Sequence, residues 1–249
     1  MKADQIPYMV VKEAVAHFLD SLGEDAVSVI VEINTNPYFR RRLGEIAISE
    51  ACKIPPTNPA EAREIMGKNF FGIEETIKHF GVKPTEEQIK VFNEVPWSKK
   101  MLESCKDTHI LAFVLSLSII DINNITKKLT NRSLFYPLEW NTFQTLAKRK
   151  GKVGWQLVRK KPLSKSTSKT LKQQRVLLKK DEGVPDARIM VYVTLGHFLA
   201  TGERLFEQKD VRCADHVIVG LNINGIYLEK LPDHISSHLV GLASAKKPN

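Results

Sequence analysis

The hydrophobic pattern of this 249-residue chain changes near residue 108, and the change limits the folds open to it. Before that point apolar residues recur three and four positions apart, which is typical of the buried face of a helix. The first such set is Val11, Val15, Phe18, Leu19 and Leu22. Beyond it, the stretch THILAFVLSLSIIDI is rich in β-branched and aromatic residues, which favours a buried strand. The sequence predicts an α+β protein, with a helical domain over residues 1–105 and a β-containing domain over 106–249.

Helix-start signals divide the N-terminal part of the chain. Asn58 precedes Pro59, so a capping side chain stands before a proline that suits the first helical position. Thr85 and Gln88 have the spacing of a capping box, and Ser98 can cap another helix. We therefore expect a compact domain of short helices in this part.

The C-terminal part combines one apolar helix with a series of short strands. Asp186 can cap a helix over 187–206, although IMVYVTL within it also suits a strand. After Arg212 the segments HVIVG, IYLEKL and LVGLASA are separated by Asn-Ile-Asn-Gly and Pro-Asp-His, which are turn sequences. A small antiparallel sheet is predicted here.

The composition excludes several classes of protein. Hydrophobic residues make up 43% of the chain, which is enough for a core. The longest apolar run, 110–120, is shorter than the roughly 20 residues that a membrane helix needs, so no membrane span is expected. Three cysteines, Cys52, Cys105 and Cys213, are too few and too dispersed for a disulfide framework. With no recognisable signal peptide, a cytoplasmic location is the default expectation.

Side chains with catalytic or metal-binding chemistry are scattered along the sequence. His234 and His238 are four residues apart, and Asp107 precedes His109 by two, but no compact ligand set has metal-site spacing. Cys213 has polar residues close in sequence, yet a nucleophile, a base and an orienting group cannot be assigned. The sequence therefore predicts a protein that is not an enzyme, with no catalytic residues, no metal and no cofactor.

Positive charge is concentrated in one segment. Residues 141–180 contain 13 Lys and Arg and no Asp or Glu, which exceeds the net charge of +9, so the rest of the chain is acidic. A helix predicted over 164–180 carries a basic stripe of Lys165, Lys169, Lys172, Arg175 and Lys179. With Trp140, Phe143 and Trp155 nearby, the stripe makes nucleic-acid binding the alternative function. A solvated basic face, or a patch that meets the acidic N-terminal half, explains the same charges.

The last strands contain two kinds of residue. Because alternate side chains of a strand face opposite ways, Tyr227, Glu229 and Leu231 share one face. That face mixes a phenol, a carboxylate and an aliphatic chain, and the mixture continues along 235–239 at the same spacing. Residues 240–245 are instead small or aliphatic, as close packing requires.

This ending resembles a known family. The stretch RCAD, then VIVG, then NG with an apolar residue, then LVGLASAKK is similar to the variable region of target proteins of diversity-generating retroelements. Those proteins have a C-type-lectin-like fold, of the branch related to formylglycine-generating enzymes, and a reverse transcriptase rewrites selected codons. The resemblance covers about the last 40 residues. It implies a C-type-lectin-like domain over 106–249 with a variable region at about 216–245.

The resemblance also implies which residues vary and which are fixed. The implied variable, ligand-contacting positions are Ile218, Leu221, Tyr227, Glu229, Lys230, Leu231, Ile235, Ser237 and Leu239. The implied fixed frame is Val217, Val219, Gly220, Gly225, Ile226, Leu228, Asp233, Val240, Gly241, Leu242, Ala243, Ser244 and Ala245. Pro232 departs from the family pattern, which has a tryptophan before the aspartate.

The function implied by the resemblance is non-enzymatic display of a binding surface. Its ligand would be an unidentified protein or another macromolecule. Tyr227 is the expected anchor, because tyrosine offers a large rigid contact area at low entropic cost. The expected exposed apolar patch consists of Leu221, Leu231, Ile235 and Leu239. An ordinary half-exposed sheet edge explains the same alternation of side chains.

Overall fold

The computed structural model describes residues 57–136 and 140–248, together with 35–38 and Arg41. The helix predicted over 11–22 lies outside the described residues, as does Cys52. Within the described ranges, no helix has both the length and the hydrophobicity needed to cross a bilayer.

The chain divides into two units, Met1–Pro55 with Asn249, and Pro56–Pro248. The second unit is a mixed α/β structure, and the predicted boundary after residue 105 falls inside it. Ala62, before that boundary, and Ala245, near the end of the chain, belong to the same hydrophobic core. Helices and strands on both sides of residue 105 therefore pack together.

Eight α-helices lie in the described part of the chain. They are α1 (Pro59–Met66), α2 (Ile73–Phe80), α3 (Glu86–Phe92), α4 (Lys99–Cys105), α5 (Ile119–Thr130), α6 (Trp140–Lys148), α7 (Leu171–Arg175) and α8 (Ala187–Thr201). The Asn58 side chain caps α1 by accepting a hydrogen bond from the Glu61 amide at 2.9 Å, and Thr85 opens a capping box at α3. Asp186 caps α8 by accepting from the Ile189 amide at 2.7 Å. These helix starts are as predicted.

Two helices are shorter than predicted. The helix expected over 164–180 is reduced to α7, because Lys165 and Ser168 have left-handed φ angles of 60° and 56° that a continuous helix cannot contain. The helix expected over 187–206 ends at Thr201, where Gly202 has φ 75° and forms a left-handed C-cap. The basic residues between 164 and 180 consequently do not form one helical stripe.

Nine strands in the described residues form two sheets. They are β1 (Phe70–Phe71), β2 (His109–Val114), β3 (Gly154–Arg159), β4 (Glu182–Gly183), β5 (Asp210–Arg212), β6 (Val217–Asn222), β7 (Gly225–Lys230), β8 (Val240–Leu242) and β9 (Ala245–Lys246). One sheet has the order β1-β2-β3-β9-β4 and the other has the order β7-β6-β5-β8. In the five-stranded sheet β1 pairs parallel with β2, and the other neighbours pair antiparallel.

The four-stranded sheet is mixed, so the prediction of an antiparallel sheet is correct for β6 and β7 and wrong for β8, and β5 was not among the predicted strands. Strands β5, β6 and β7 pair antiparallel, whereas β8 pairs parallel with β5 at the opposite edge from β7. Because β7 and β8 run in the same direction, the chain between them must return along the sheet. We call this connection, residues 231–239, the crossing loop. It passes over the face of the sheet that carries Tyr227.

Helix α8 lies at the centre of the core. Ten of its 15 residues are buried, which explains why its sequence is apolar all round. The Tyr192 ring packs edge-on against the Phe71 ring, with their centroids 6.0 Å apart. One turn further on, Gly196 lies against the same ring, and a Cβ built there would approach the ring to 2.9 Å. The helix packs this closely on β1 because residue 196 has no side chain.

Replacing Gly196 by alanine tests this packing. Overpacking lowers the free energy of unfolding by about 1–3 kcal/mol, whereas the higher helix propensity of alanine raises it by about 1 kcal/mol. We expect a net loss of about 1 kcal/mol in the free energy of unfolding, measured by urea denaturation. Gly183→Ala is the control, because a Cβ there meets only the Lys247 side chain at 3.6 Å. A Gly196→Ala variant as stable as the Gly183→Ala variant would contradict the close approach.

Candidate binding surface

The nine residues predicted to contact a ligand separate into exposed and buried groups. Those with exposed or half-buried side chains are Tyr227, Glu229, Lys230, Leu231, Ile235, Ser237 and Leu239. Ile235 is 40% exposed and Leu239 is 49% exposed, which is high for large aliphatic residues. Ile218 and Leu221 are only 2% and 3% exposed. The crossing loop and β7 therefore provide the exposed part of the set.

The alternation of β6 and β7 explains why the set does not share one face. Tyr227 and Glu229 face the crossing loop, whereas Lys230 faces the opposite side, where its ammonium nitrogen lies 5.8 Å from the centroid of the Phe143 ring. Leu221 is also on that opposite side and belongs to the hydrophobic core. The expectation that Leu221 adds to an exposed apolar patch is therefore wrong. On the loop side, Ile235 and Leu239 are exposed aliphatic residues and Leu231 is half-buried.

Main-chain carbonyl groups hold the crossing loop in place. The Asp233 carbonyl accepts a hydrogen bond from the Leu171 amide at 2.9 Å. The Ser237 carbonyl accepts from the Ser168 amide at 2.7 Å, and the Leu239 carbonyl accepts from the Asp210 amide at 2.9 Å. Because all three acceptors are backbone atoms, these three hydrogen bonds do not depend on which side chains the loop carries.

Arg212 supplies the fourth anchor from beneath the loop. Its side chain is completely buried, and one terminal nitrogen, Nη2, donates to the Ile235 carbonyl at 3.0 Å. Burial lowers the pKa of this guanidinium, and the Asp233 carboxylate opposes that shift. The other two nitrogens, Nε and Nη1, have no hydrogen-bond partner among the described residues. Sequence reasoning missed Arg212. A signal was present, because Asp210 and Arg212 are two residues apart in β5 and side chains at that spacing lie on the same face, here the one toward the loop.

Tyr227 is fixed by contacts within the sheet. Its hydroxyl donates a hydrogen bond to the Asp210 carboxylate, and its ring lies over Gly220, where a Cβ would come within 2.5 Å of Tyr227 Cζ. The pKa of Asp210 is raised, mainly by burial. The hydrogen bond from Tyr227 acts to lower this pKa, and the nearby Glu229 carboxylate acts to raise it. Burial and the Asp210 carboxylate raise the pKa of Tyr227. The ring of Tyr227 is therefore held in one orientation beside the crossing loop.

The basic residues of the alternative site are exposed and next to the crossing loop. Lys165, Lys172, Arg175 and Lys179 are exposed and Lys169 is half-buried. The chain that carries them contacts the loop through the Ser168 and Leu171 amides. Two of the three predicted aromatic partners do not accompany them. Trp155 and Phe143 are 4% and 7% exposed, and Trp155 donates through its indole nitrogen to the Phe92 carbonyl. These two rings cannot stack on bases, and the Trp140 side chain lies outside the described residues.

A cleft of about 890 Å³ lies between residues 159–164 and 203–209. At its wall the Glu203 carboxylate contacts Lys160 Nζ at 2.6 Å and His197 Nε2 at 3.3 Å. Hydrogen bonds with these partners lower the pKa of Glu203 to about 2, and the bond with Lys160 has the largest effect. Acidic residues therefore compensate part of the positive charge at this wall. Within 57–136 and 140–248, no group of three or more His, Cys, Asp or Glu side chains is placed to hold a metal ion.

Replacing Tyr227 by phenylalanine tests the contact with Asp210. The pKa of Asp210 is higher in the folded state than in the unfolded state. Its protonated form therefore stabilises the folded state at low pH, and this stabilisation is lost as the pH rises through the folded-state pKa. Removing the Tyr227 hydroxyl raises the Asp210 pKa further. We expect Tyr227→Phe to lower the free energy of unfolding more at about pH 7 than at about pH 4, measured by urea denaturation. Tyr136→Phe, at a residue 47% exposed, is the matched control. Equal destabilisation at both pH values would refute the contact.

Comparison with known proteins gives no family for this chain. No protein-family model matches the sequence, and neither a curated protein nor a solved structure is similar to it.

Proposed function

We propose that this protein binds a macromolecular ligand, without catalysis, through side chains displayed by the crossing loop and β7. We further propose that it is a target protein of a diversity-generating retroelement, with a C-type-lectin-like C-terminal domain. The displayed residues are Tyr227, Glu229, Leu231, Ile235, Ser237 and Leu239. Leu221 and Lys230 are left out because they face the other side of the sheet, and Ile218 is left out because its side chain is buried, contrary to the expectation that it contacts a ligand.

The observation that carries this proposal is the backbone anchoring of the crossing loop. Four successive odd-numbered carbonyls, from Asp233 to Leu239, accept hydrogen bonds from groups outside the loop. Side chains at 235, 237 and 239 can then be exchanged while the loop keeps its anchors. A surface that must tolerate many sequences needs such a support. An ordinary sheet edge has no need for it.

Burial of the neighbouring residues supports the same division. Of the residues assigned to the fixed frame, those of the last two strands and their link, 240–245, are all buried. Val219 and Ile226 of the central hairpin are completely buried. Two frame residues are not buried: Gly225 is half-buried, and Asp233 is exposed and bonds through its carboxylate to His216 Nδ1 at 2.8 Å. Positions expected to be fixed are thus mostly buried, and seven of the nine positions expected to vary are exposed or half-buried.

The composition of the displayed surface suits a large ligand. Leu231, Ile235 and Leu239 offer apolar contact area, and Tyr227 offers a rigid ring whose orientation is already fixed. Ordering a preorganised ring costs less than ordering a flexible side chain, which favours tight binding. Ser237 and Glu229 add polar contacts that discriminate between ligands.

The gene itself gives the most direct test. We expect a near-copy of the codons for residues 217–245 beside a reverse-transcriptase gene, differing mainly at adenines and mainly at the displayed positions. Sequencing the flanking DNA measures this. A neighbourhood without such a copy would refute the retroelement origin, while leaving the binding surface to be tested by itself.

The same substitution, leucine to alanine, is made at one displayed position and at one fixed-frame position. It tests whether the displayed side chains contribute to stability as the frame side chains do. Leu239→Ala removes a side chain that is 49% exposed, so we expect a change in the free energy of unfolding within about 0.5 kcal/mol. Leu242→Ala, three residues later, removes one that is completely buried and should cost about 2–5 kcal/mol. Urea denaturation of both variants is the measurement. Similar losses for the two would show that the loop side chains are structural and would contradict the proposal.

A further inference from the structure

We infer that the ligand is a protein whose contact face is apolar at the centre and acidic at one side, because a fixed basic rim flanks the crossing loop. The basic rim consists of Lys165, Lys169, Lys172 and Arg175. This inference rests on the proposed function, and it adds the chemistry of the partner to it.

The rim is joined to the loop by the hydrogen bonds that anchor the loop. Ser168 and Leu171 donate their amides to loop carbonyls at 2.7 and 2.9 Å. Lys169 lies between these two donors in the sequence, and Lys172 directly follows the second. Any ligand that covers the crossing loop therefore comes close to these positive charges, whatever side chains the loop carries.

The rim charges are not compensated within the described part of the chain. Other cations of the same basic segment have acidic partners: Arg149 pairs with Asp215 at 2.9 Å, and Lys160 pairs with Glu203 at 2.6 Å. The four residues of the rim form no ion pair with any described residue. Their field is consequently directed at solvent and at an approaching ligand.

The exposed chemistry of the loop favours a protein over a nucleic acid. A single-stranded nucleic acid needs several aromatic rings on which successive bases stack. The rings of Phe143 and Trp155 are buried, and among the six displayed residues only Tyr227, which is half-buried, carries a ring. Next to the rim the loop instead exposes the aliphatic side chains of Ile235 and Leu239. An apolar patch beside positive charge complements a protein face with an apolar centre and an acidic border.

The two parts of this surface act on different steps of binding. Charges at a rim steer the encounter and change the association rate and its salt dependence. Apolar contacts at the centre mainly set how long the complex lasts. The rim thus supplies a constant attraction, and the crossing loop supplies selection among acidic partners.

The test begins with selection from a phage library of short random peptides, using the full chain as bait. We expect enriched peptides to combine Asp or Glu with aromatic or aliphatic residues. The most enriched peptide is then synthesised, and its affinity is measured by fluorescence anisotropy at low and at physiological ionic strength. A library with no enrichment, or enrichment without acidic residues, overturns the inference.

Two sets of charge-neutralising variants locate the effect. We expect a rim variant, Lys169→Gln with Lys172→Gln and Arg175→Gln, to weaken peptide binding about tenfold and to reduce its salt dependence. The control variant replaces exposed lysines on α3 and α5, namely Lys90, Lys127 and Lys128, by glutamine, and we expect it to bind like the unaltered protein. Equal weakening by both variants would show a general charge effect and overturn the inference.

Two further measurements separate the possible failures. If Ile235→Ser with Leu239→Ser leaves peptide affinity unchanged while the rim variant weakens it, the proposed display function fails. If both loop and rim variants bind as the unaltered protein does, the rim inference fails. A labelled single-stranded oligonucleotide that binds more tightly than the peptide, and loses affinity in the rim variant, would identify a nucleic-acid site instead.

Discussion

The direction of one strand determines the character of the candidate surface. Strand β8 runs parallel to β5, so the chain that leaves β7 at one edge must travel back over the sheet before it can pair at the other edge. A connection that crosses a sheet face in this way becomes partly buried, and its backbone groups need partners. The amides of Leu171, Ser168 and Asp210 provide them, and the side chains of the crossing loop remain outside.

Arg212 shows how strongly this arrangement is enforced. A guanidinium that is completely buried, with no carboxylate bonded to it and two nitrogens without partners, is costly to desolvate. Its bond to the Ile235 carbonyl compensates only part of that cost. A hydrophobic residue would pack there at lower cost, so the arginine is better explained by its position under the middle of the loop. Its role is to hold the backbone of the loop, whatever the loop side chains are.

Local features of this fold could be predicted from the sequence, and features that depend on distant contacts could not. The caps at Asn58 and Asp186 were predictable because each bonds to an amide three residues away. The parallel placement of β8 and the left-handed Lys165 depend on how separate segments pack, and periodicity does not encode that. In the candidate site, alternation correctly predicted that Tyr227 and Glu229 share one face of the sheet. It could not show that Leu221 meets the core or that Lys230 faces Phe143, because sheet order decides which side is covered.

A surface whose side chains are free to vary has a difficulty that the rest of the molecule must resolve. Its own charges change with every variant, so it offers no constant field to attract a partner. A constant field has to come from residues that are fixed and yet close to the loop. The segment around Ser168 and Leu171 meets both conditions, since its amides anchor the loop and its Lys169 and Lys172 form no ion pair with any described residue. Under the proposed function, display and basic charge, which the sequence suggested as competing explanations, become two parts of one surface.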